Sequence, residues 1–218
     1  MHKLRLRYSK TGTAKYISHL DLTSTMARAL RRTGVRLKYS EGFNPHPYLS
    51  VALPLPVGCG SICELMDFGT EYELLPDGLP ELISAGLPEG LGALDVYIPE
   101  RKFSEIKWIK LNGLLYYDKG VPEDAAAALA ERFSEGSIVI SKTTKRGISR
   151  LDIAPYIKDV AFSGHDVINF TVQVSAQNPS VGPGDLINSL DGEYGRLKPG
   201  FFSFTRIETY DADSAAFR

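Results

Sequence analysis

Residues 15–58, KYISHLDLTSTMARALRRTGVRLKYSEGFNPHPYLSVALPLPVG, decide how this chain is read. Ser18-His19-Leu20-Asp21 has the S-x-x-D form of a helix start. The serine oxygen can accept from the Asp21 backbone N–H, and the Asp21 carboxylate can reach back to the Ser18 N–H. A helix is predicted from there to Thr33, with Gly34 as a left-handed stop. Leu22, Met26, Ala29, Leu30 and Thr33 recur at helical spacing and make its apolar stripe, which leaves Ser24, Arg28, Arg31 and Arg32 as an exposed ridge. Val35 to Tyr39 reads as extended, Ser40 to Pro47 as a loop pinned by Gly42, Pro45 and Pro47, and Tyr48 to Leu53 as an alternating strand.

Working outward, Leu4, Leu6 and Tyr8 alternate with Arg5, Arg7 and Ser9, the pattern of a first strand with one wet face. Beyond the loop, Ser61 to Glu73 reads as a strand with Glu64 and Asp67 facing out, Leu79 to Ala85 as a short helix and Gly92 to Ile98 as a further strand. The order is β-α-β-β-α-β, the ferredoxin-like split unit. A similar order recurs: strand Lys107–Tyr117, helix Pro122–Phe133, strand Ser137–Lys142, a polar basic loop Thr143–Arg150 carrying Lys145 and Arg146, an extended or turn element from Leu151 to Ile157, paired strands Lys158–Phe162 and Val167–Val174, helix Pro183–Leu190 and a closing strand Phe201–Thr209. The predicted class is α+β, two tandem ferredoxin-like units packed together. Their expected boundaries are 1–102, with the basic surface and the Gly-Phe-Asn-Pro-His-Pro loop, and 103–218, a more divergent copy.

A hydrophobic content of 43% with 23% charged residues is ordinary for a globular chain of 218 residues. No apolar run is long enough to span a bilayer, and Met-His-Lys-Leu-Arg-Leu-Arg is a strand pattern rather than a signal sequence, so a cytoplasmic protein without membrane contact is expected. Net charge is −1, yet residues 1–50 hold ten Lys and Arg against two acids, and the remaining 168 residues hold fifteen against twenty-four. A basic head on an acidic body points to an anionic partner: nucleic acid, a phosphorylated molecule or an acidic protein surface. Cys59 and Cys63 read as small packing residues, since zinc and iron–sulfur sites need more ligands than a C-x-x-x-C pair. With no three-cysteine cluster, P-loop, Rossmann fingerprint or H-E-x-x-H, no metal and no cofactor is expected.

The candidate site residues follow from this layout. Arg28, Arg31, Arg32 and Lys38 can track phosphates, while Tyr39 and Phe43 offer aromatic faces, the mixture used on single-stranded RNA. The proline-pinned loop either presents Asn44 and His46 to a ligand or is a structural turn with His46 bonded to backbone. His19, in the first turn of a helix, is either a neutral base or a neighbour of the cap. Gly182-Pro183-Gly184-Asp185 reads as a helix start that could also face an anion.

Tyr16-Ile17-Ser18-His19-Leu20-Asp21, Arg28-Ala29-Leu30-Arg31-Arg32 with Gly34, Tyr39-Ser40-Glu41-Gly42-Phe43-Asn44-Pro45-His46-Pro47 and Ala52-Leu53-Pro54-Leu55-Pro56-Val57-Gly58 together resemble the radical SAM-linked proteins of unknown function. Arg150-Leu151-Asp152-Ile153-Ala154-Pro155-Tyr156-Ile157 is similar to a further family segment, whereas Ser180 to Asp185 lacks an arginine the family pattern has there. Members occur alone or fused behind a cobalamin-type radical SAM domain, often encoded near an E/G-type ribonuclease and a ribosomal protein. The resemblance implies an accessory module for RNA or a ribonucleoprotein, with a radical SAM enzyme as partner and no chemistry of its own. Two alternatives stand beside it. One, by fold analogy with RAMP-type endoribonucleases, is metal-free RNA cleavage using His46 or His19 with Lys15 steadying the phosphate. The other is a protein-interaction adaptor with a basic docking face.

Overall fold

The computed structural model describes residues 2–72, 76–144 and 147–218. The chain divides into two compact units, one of residues 1–103 with Arg218 and another of residues 104–217. The architecture is α+β, with antiparallel sheets and interspersed helices.

In the first unit the order is β1 (His2–Lys10), a 3-10 turn (Gly12–Tyr16), α1 (His19–Arg32), β2 (Leu49–Val51), β3 (Gly60–Thr70), α2 (Leu79–Ala85) and β4 (Leu91–Tyr97). β1 lies between β4 and β3, and β2 pairs the far side of β3 through Leu49 opposite Phe68, so the strands run β4-β1-β3-β2. All three pairings are antiparallel. One sheet face carries Leu4, Leu6, Tyr8, Met66 and Phe68 against Leu22, Met26, Ala29 and Leu30 of α1 and Leu79 and Ile83 of α2. The predicted stripe of α1 is therefore the face that packs. Ser18 caps it as predicted by accepting from the Asp21 N–H, but the reciprocal contact differs: the Ser18 hydroxyl donates to the Asp21 carboxylate at 2.7 Å. Gly34, at φ 80°, supplies the left-handed stop.

The wet face expected for β1 is not observed. Arg5 is wholly buried and its cross-strand partner Asp67 is buried too; Glu64, expected to face out, lies opposite Tyr8 on the other face and is buried, as is Lys10 beyond the register shift in β1. Arg5 donates through Nε and Nη2 to the two Asp67 carboxylate oxygens at 2.7 and 3.1 Å, and Nη2 also donates to the Arg101 carbonyl at 2.9 Å. Its guanidinium stacks 4.3 Å from the Phe103 ring centroid. Lys3 completes the cluster, 2.6 Å from Asp67. The physical reason is cover: β1 and β3 are flanked by other strands, and the chain beyond β4 lays Arg101 and Phe103 over this face. Charges placed there persist by pairing. Lys10 donates to the Ile17 carbonyl at 2.8 Å, and burial holds its ammonium below the usual lysine range, opposed by the nearby Glu64. Cys63 is buried, and neither it nor Cys59 forms a disulfide.

The second unit runs β5 (Trp108–Tyr116), α3 (Ala125–Phe133), β6 (Val139–Thr144), β7 (Gly147–Asp152), a 3-10 turn (Ala154–Tyr156), β8 (Ile157–Ser163), β9 (Ile168–Ser175), α4 (Pro183–Asn188), a 3-10 turn (Gly192–Leu197) and β10 (Phe201–Tyr210). Antiparallel pairing gives the order β10-β5-β9-β8. Its core is aromatic: Phe162 and Phe170 stack with centroids 4.4 Å apart, and Phe133 and Phe204 lie against Phe170 at 5.4 and 5.8 Å. Gly113 is required beneath this cluster, because a Cβ there would stand 2.5 Å from the Phe204 ring. On the opposite face the Lys158 ammonium sits 4.1 Å from the centroid of Trp108.

The loop expected over Thr143–Arg150 is replaced by a hairpin. β6 and β7 pair from Val139 opposite Asp152 to Thr144 opposite Gly147. Lys145 and Arg146 lie outside the described residues, as does Glu73, the end of the strand expected to reach it. β7 is exposed from Gly147 to Arg150, so it lacks the one-sided alternation by which a strand is recognised.

Candidate functional site

Burial of Leu22, Met26, Ala29 and Leu30 turns the opposite side of α1 outward, and Arg28, Arg31 and Arg32 are all exposed there. Positions 28 with 31 and 28 with 32 are the spacings that bring helical side chains onto one face. Past Gly34 the chain enters a narrow hairpin. The Lys38 N–H donates to the Gly69 carbonyl at 2.9 Å, the Tyr48 N–H to the Lys38 carbonyl at 3.0 Å, and the Ser40 N–H to the His46 carbonyl at 2.9 Å. Tyr39 bridges Pro47 at its root. The tip, Glu41 to His46, is exposed, and Gly42 takes φ 116°, a backbone state that side chains rarely adopt.

The helix face and the hairpin meet. The Arg31 guanidinium lies 5.8 Å from the centroid of the Tyr39 ring, within reach of a cation–π contact. Lys38, next to Tyr39, is exposed, and Phe43 at the tip is fully so. Arg36 stacks on Tyr72 at 5.5 Å. Arg32 also donates to the Gly86 carbonyl at 3.4 Å.

His46 combines both sequence readings: it is exposed and it is held. Its Nδ1 lies 3.0 Å from the Ser40 hydroxyl and 3.4 Å from the Asn44 carbonyl, and its backbone N–H donates to the Ser40 oxygen at 3.1 Å. Those contacts use one ring nitrogen and leave Nε2 as the atom through which the ring can meet a ligand. Ser40 is the residue that sequence reasoning passed over. The available signal was a serine placed to close the hairpin opposite the histidine, a role short hydroxyl side chains commonly fill in turns.

His19 and Lys15 stand elsewhere. His19 opens α1, and Arg31 lies twelve residues further along, about 18 Å at the helical rise. Lys15 is beside Tyr16, 5.2 Å from its ring centroid, and its carbonyl accepts from the Gly58 N–H at 2.9 Å. The residues named from sequence therefore divide by the elements that carry them. Arg28, Arg31 and Arg32 on α1 are joined through the Arg31–Tyr39 contact to the hairpin that carries Lys38, Phe43, Asn44 and His46, while Lys15 and His19 flank the start of the helix.

In the second unit, the Gly182–Asp185 turn is occupied by its own chain. Asp185 accepts from the Gly182 N–H and from Lys142, both at 2.9 Å, and Lys142 also donates to the Ser180 carbonyl at 2.7 Å. It is a helix start. Asp152, in the segment that resembles the family, accepts from the Ile138 and Ala154 N–H groups, which holds its carboxyl below the usual range. Among the described residues no helix is long and apolar enough to cross a membrane, and no cluster of His, Cys, Asp and Glu is placed to hold a metal.

Comparison with known proteins adds three findings. Residues 3–183 match the family described as "Uncharacterized protein conserved in bacteria (DUF2344)". A stretch of 109 residues is 29% identical to the A subunit of glutamyl-tRNA(Gln) amidotransferase from Rhizobium meliloti (strain 1021), covering 45% of this chain and 22% of that protein, so the matched stretch spans about a fifth of that relative. Among solved structures, a chain in the crystal structure of a Cbf5-Nop10-Gar1 complex superposes with a TM-score of 0.52 over 94% of this chain and 48% of its own length, at 12% identity. A likeness at that identity concerns the fold.

Proposed function

We propose, on the premise that this chain belongs to the bacterial DUF2344 family, a family associated with radical SAM systems, that it is an RNA-binding accessory module with no chemistry of its own. The reaction it serves is carried out by a partner radical SAM enzyme. Each unit is read as ferredoxin-like: the strand orders β4-β1-β3-β2 and β10-β5-β9-β8 correspond position by position, with the β6–β7 hairpin as an insertion in the second. The first unit, residues 1–102 in this reading, carries the binding surface.

The observation that supports this most is the contact of Arg31 with Tyr39, which joins a cationic helix face to a hairpin whose tip is an exposed phenyl ring. Arg28, Arg31, Arg32 and Lys38 hold phosphates, Tyr39 and Phe43 stack bases, and Asn44 and His46 fix the orientation of the strand. Arg31, which the hairpin meets through Tyr39, stands about 18 Å along α1 from His19, which favours binding over cleavage, since acid, base and phosphate anchor must converge on one phosphate.

The test is fluorescence anisotropy of the intact chain with a labelled single-stranded RNA, with polyglutamate as competitor. Arg28→Gln with Arg31→Gln is expected to weaken binding at least about tenfold, and Phe43→Ala about fivefold, in keeping with one lost base stack. His46→Ala leaves the RNA uncut as in the parent. Absence of RNA binding, or displacement by polyglutamate at the same charge concentration as by RNA, overturns the reading, the second in favour of an acidic protein partner.

A further inference from the structure

The second unit has a sheet face that the site above does not use. Residues of β5 alternate strictly, with Leu111, Gly113 and Leu115 buried towards the aromatic core and Asn112, Leu114 and Tyr116 exposed on the other side. Registers extend this outward side across three strands. Asn112 stands opposite Thr205 of β10 and Thr171 of β9, Leu114 opposite Ser203 and Asn169, and Tyr116 opposite Phe201. The middle rows line an open cavity of about 360 Å³, within the range of small-ligand sites.

The chemistry of those rows is specific. Their polar groups are amides and hydroxyls, which both donate and accept, and among the described residues no Lys, Arg, Asp or Glu lines the cavity. Charge enters one row away, where Lys110 faces Glu208, a pairing of opposite signs. Such a surface has little to offer a phosphate. At its end Tyr116 and Phe201 form an exposed aromatic pair, with ring centroids 5.6 Å apart and planes inclined by 42°. An aromatic platform beside uncharged amides matches an unpaired nucleobase, which has a flat π-face and a hydrogen-bonding edge and carries no charge of its own.

We infer that this face reads the bases of single-stranded RNA, an inference that rests on the RNA-binding reading and assigns it a specificity surface. Tyr116 and Phe201 stack one base. Asn112, Asn169, Ser203 and Thr205 meet base edges. Phosphate contacts position a strand and base contacts discriminate among strands, and the neutral sheet face offers contacts of the second kind.

The experiment uses the whole chain and four fluorescent probes: decamers of uridine, cytidine and adenosine, and an abasic ribose-phosphate decamer. The parent is expected to bind at least one base-bearing decamer about tenfold tighter than the abasic one, from one or two stacked bases. Tyr116→Ala with Phe201→Ala narrows that margin to what Tyr39 and Phe43 supply, while Tyr116→Phe keeps it whole. Asn112→Ala with Asn169→Ala levels the differences among uridine, cytidine and adenosine. Arg28→Gln with Arg31→Gln weakens all four probes alike. If the parent does not distinguish bases from the abasic chain, or distinguishes them equally well in the sheet variants, the inference falls and RNA binding stands. If no probe binds, the RNA-binding reading falls and the inference with it.

Discussion

Arg5 shows what a buried charge does at the scale of one residue. With both carboxylate oxygens of Asp67 engaged and Phe103 closing over the guanidinium, the pair is removed from water. Breaking one member strands the other, whereas replacing both removes the need for either. Arg5→Met should therefore lower stability by about 3 kcal/mol, at the low end of the usual range because Lys3 still reaches Asp67. Arg5→Met with Asp67→Leu should cost less than the single change. Urea unfolding of Arg5→Met, Asp67→Leu and the double variant measures this, and purely additive losses would show that the two groups are not coupled. This cluster was hidden in the sequence for a physical reason. An arginine alternating with leucines has the pattern of a half-wet strand, and only a partner sixty-two positions away, with cover from Phe103, makes burial tolerable. Ser40 was hidden likewise, because its role appears only once the hairpin closes.

At the scale of elements, α1 was legible in its start, its packed stripe and its stop, though not in the second half of its cap. A 3.6-residue apolar period, a serine at the cap and a glycine at the stop agree with one another, and each acts within a few residues of itself. The Ser18 cap can be isolated: Ser18→Ala removes the acceptor for the Asp21 N–H and should cost about 1 kcal/mol. The Arg31–Tyr39 contact at the far end should be undisturbed, so RNA affinity in the folded state should match the parent. A thermal melt paired with a binding titration checks both, and an affinity that fell while the protein remained folded would mean that the helix start takes part in the site. The second strand of the β6–β7 hairpin was illegible because β7 is exposed from Gly147 to Arg150, Ile148 included, and a strand with no dry side has no periodic signature. The open face of β5, β9 and β10 shows its alternation in sequence, yet its function depends on cross-strand rows that only the register supplies.

For the molecule as a whole, a net charge of −1 conceals an uneven distribution, and association should follow the local excess rather than the total. Single-stranded RNA releases counterions in proportion to the phosphates neutralised. Replacing Arg28, Arg31 and Arg32 together with Gln should flatten the plot of log affinity against log salt by about 2 in slope. A slope equal to that of the parent would place the phosphate contacts on other cations. The stacked Trp108 has a different use. It is the chain's single tryptophan, and it lies within the 104–217 unit. Indole emission thus watches one half of the polypeptide, while far-ultraviolet circular dichroism sums over both. Where the two melting curves part, the halves come undone separately; where they coincide, the chain denatures as one cooperative body.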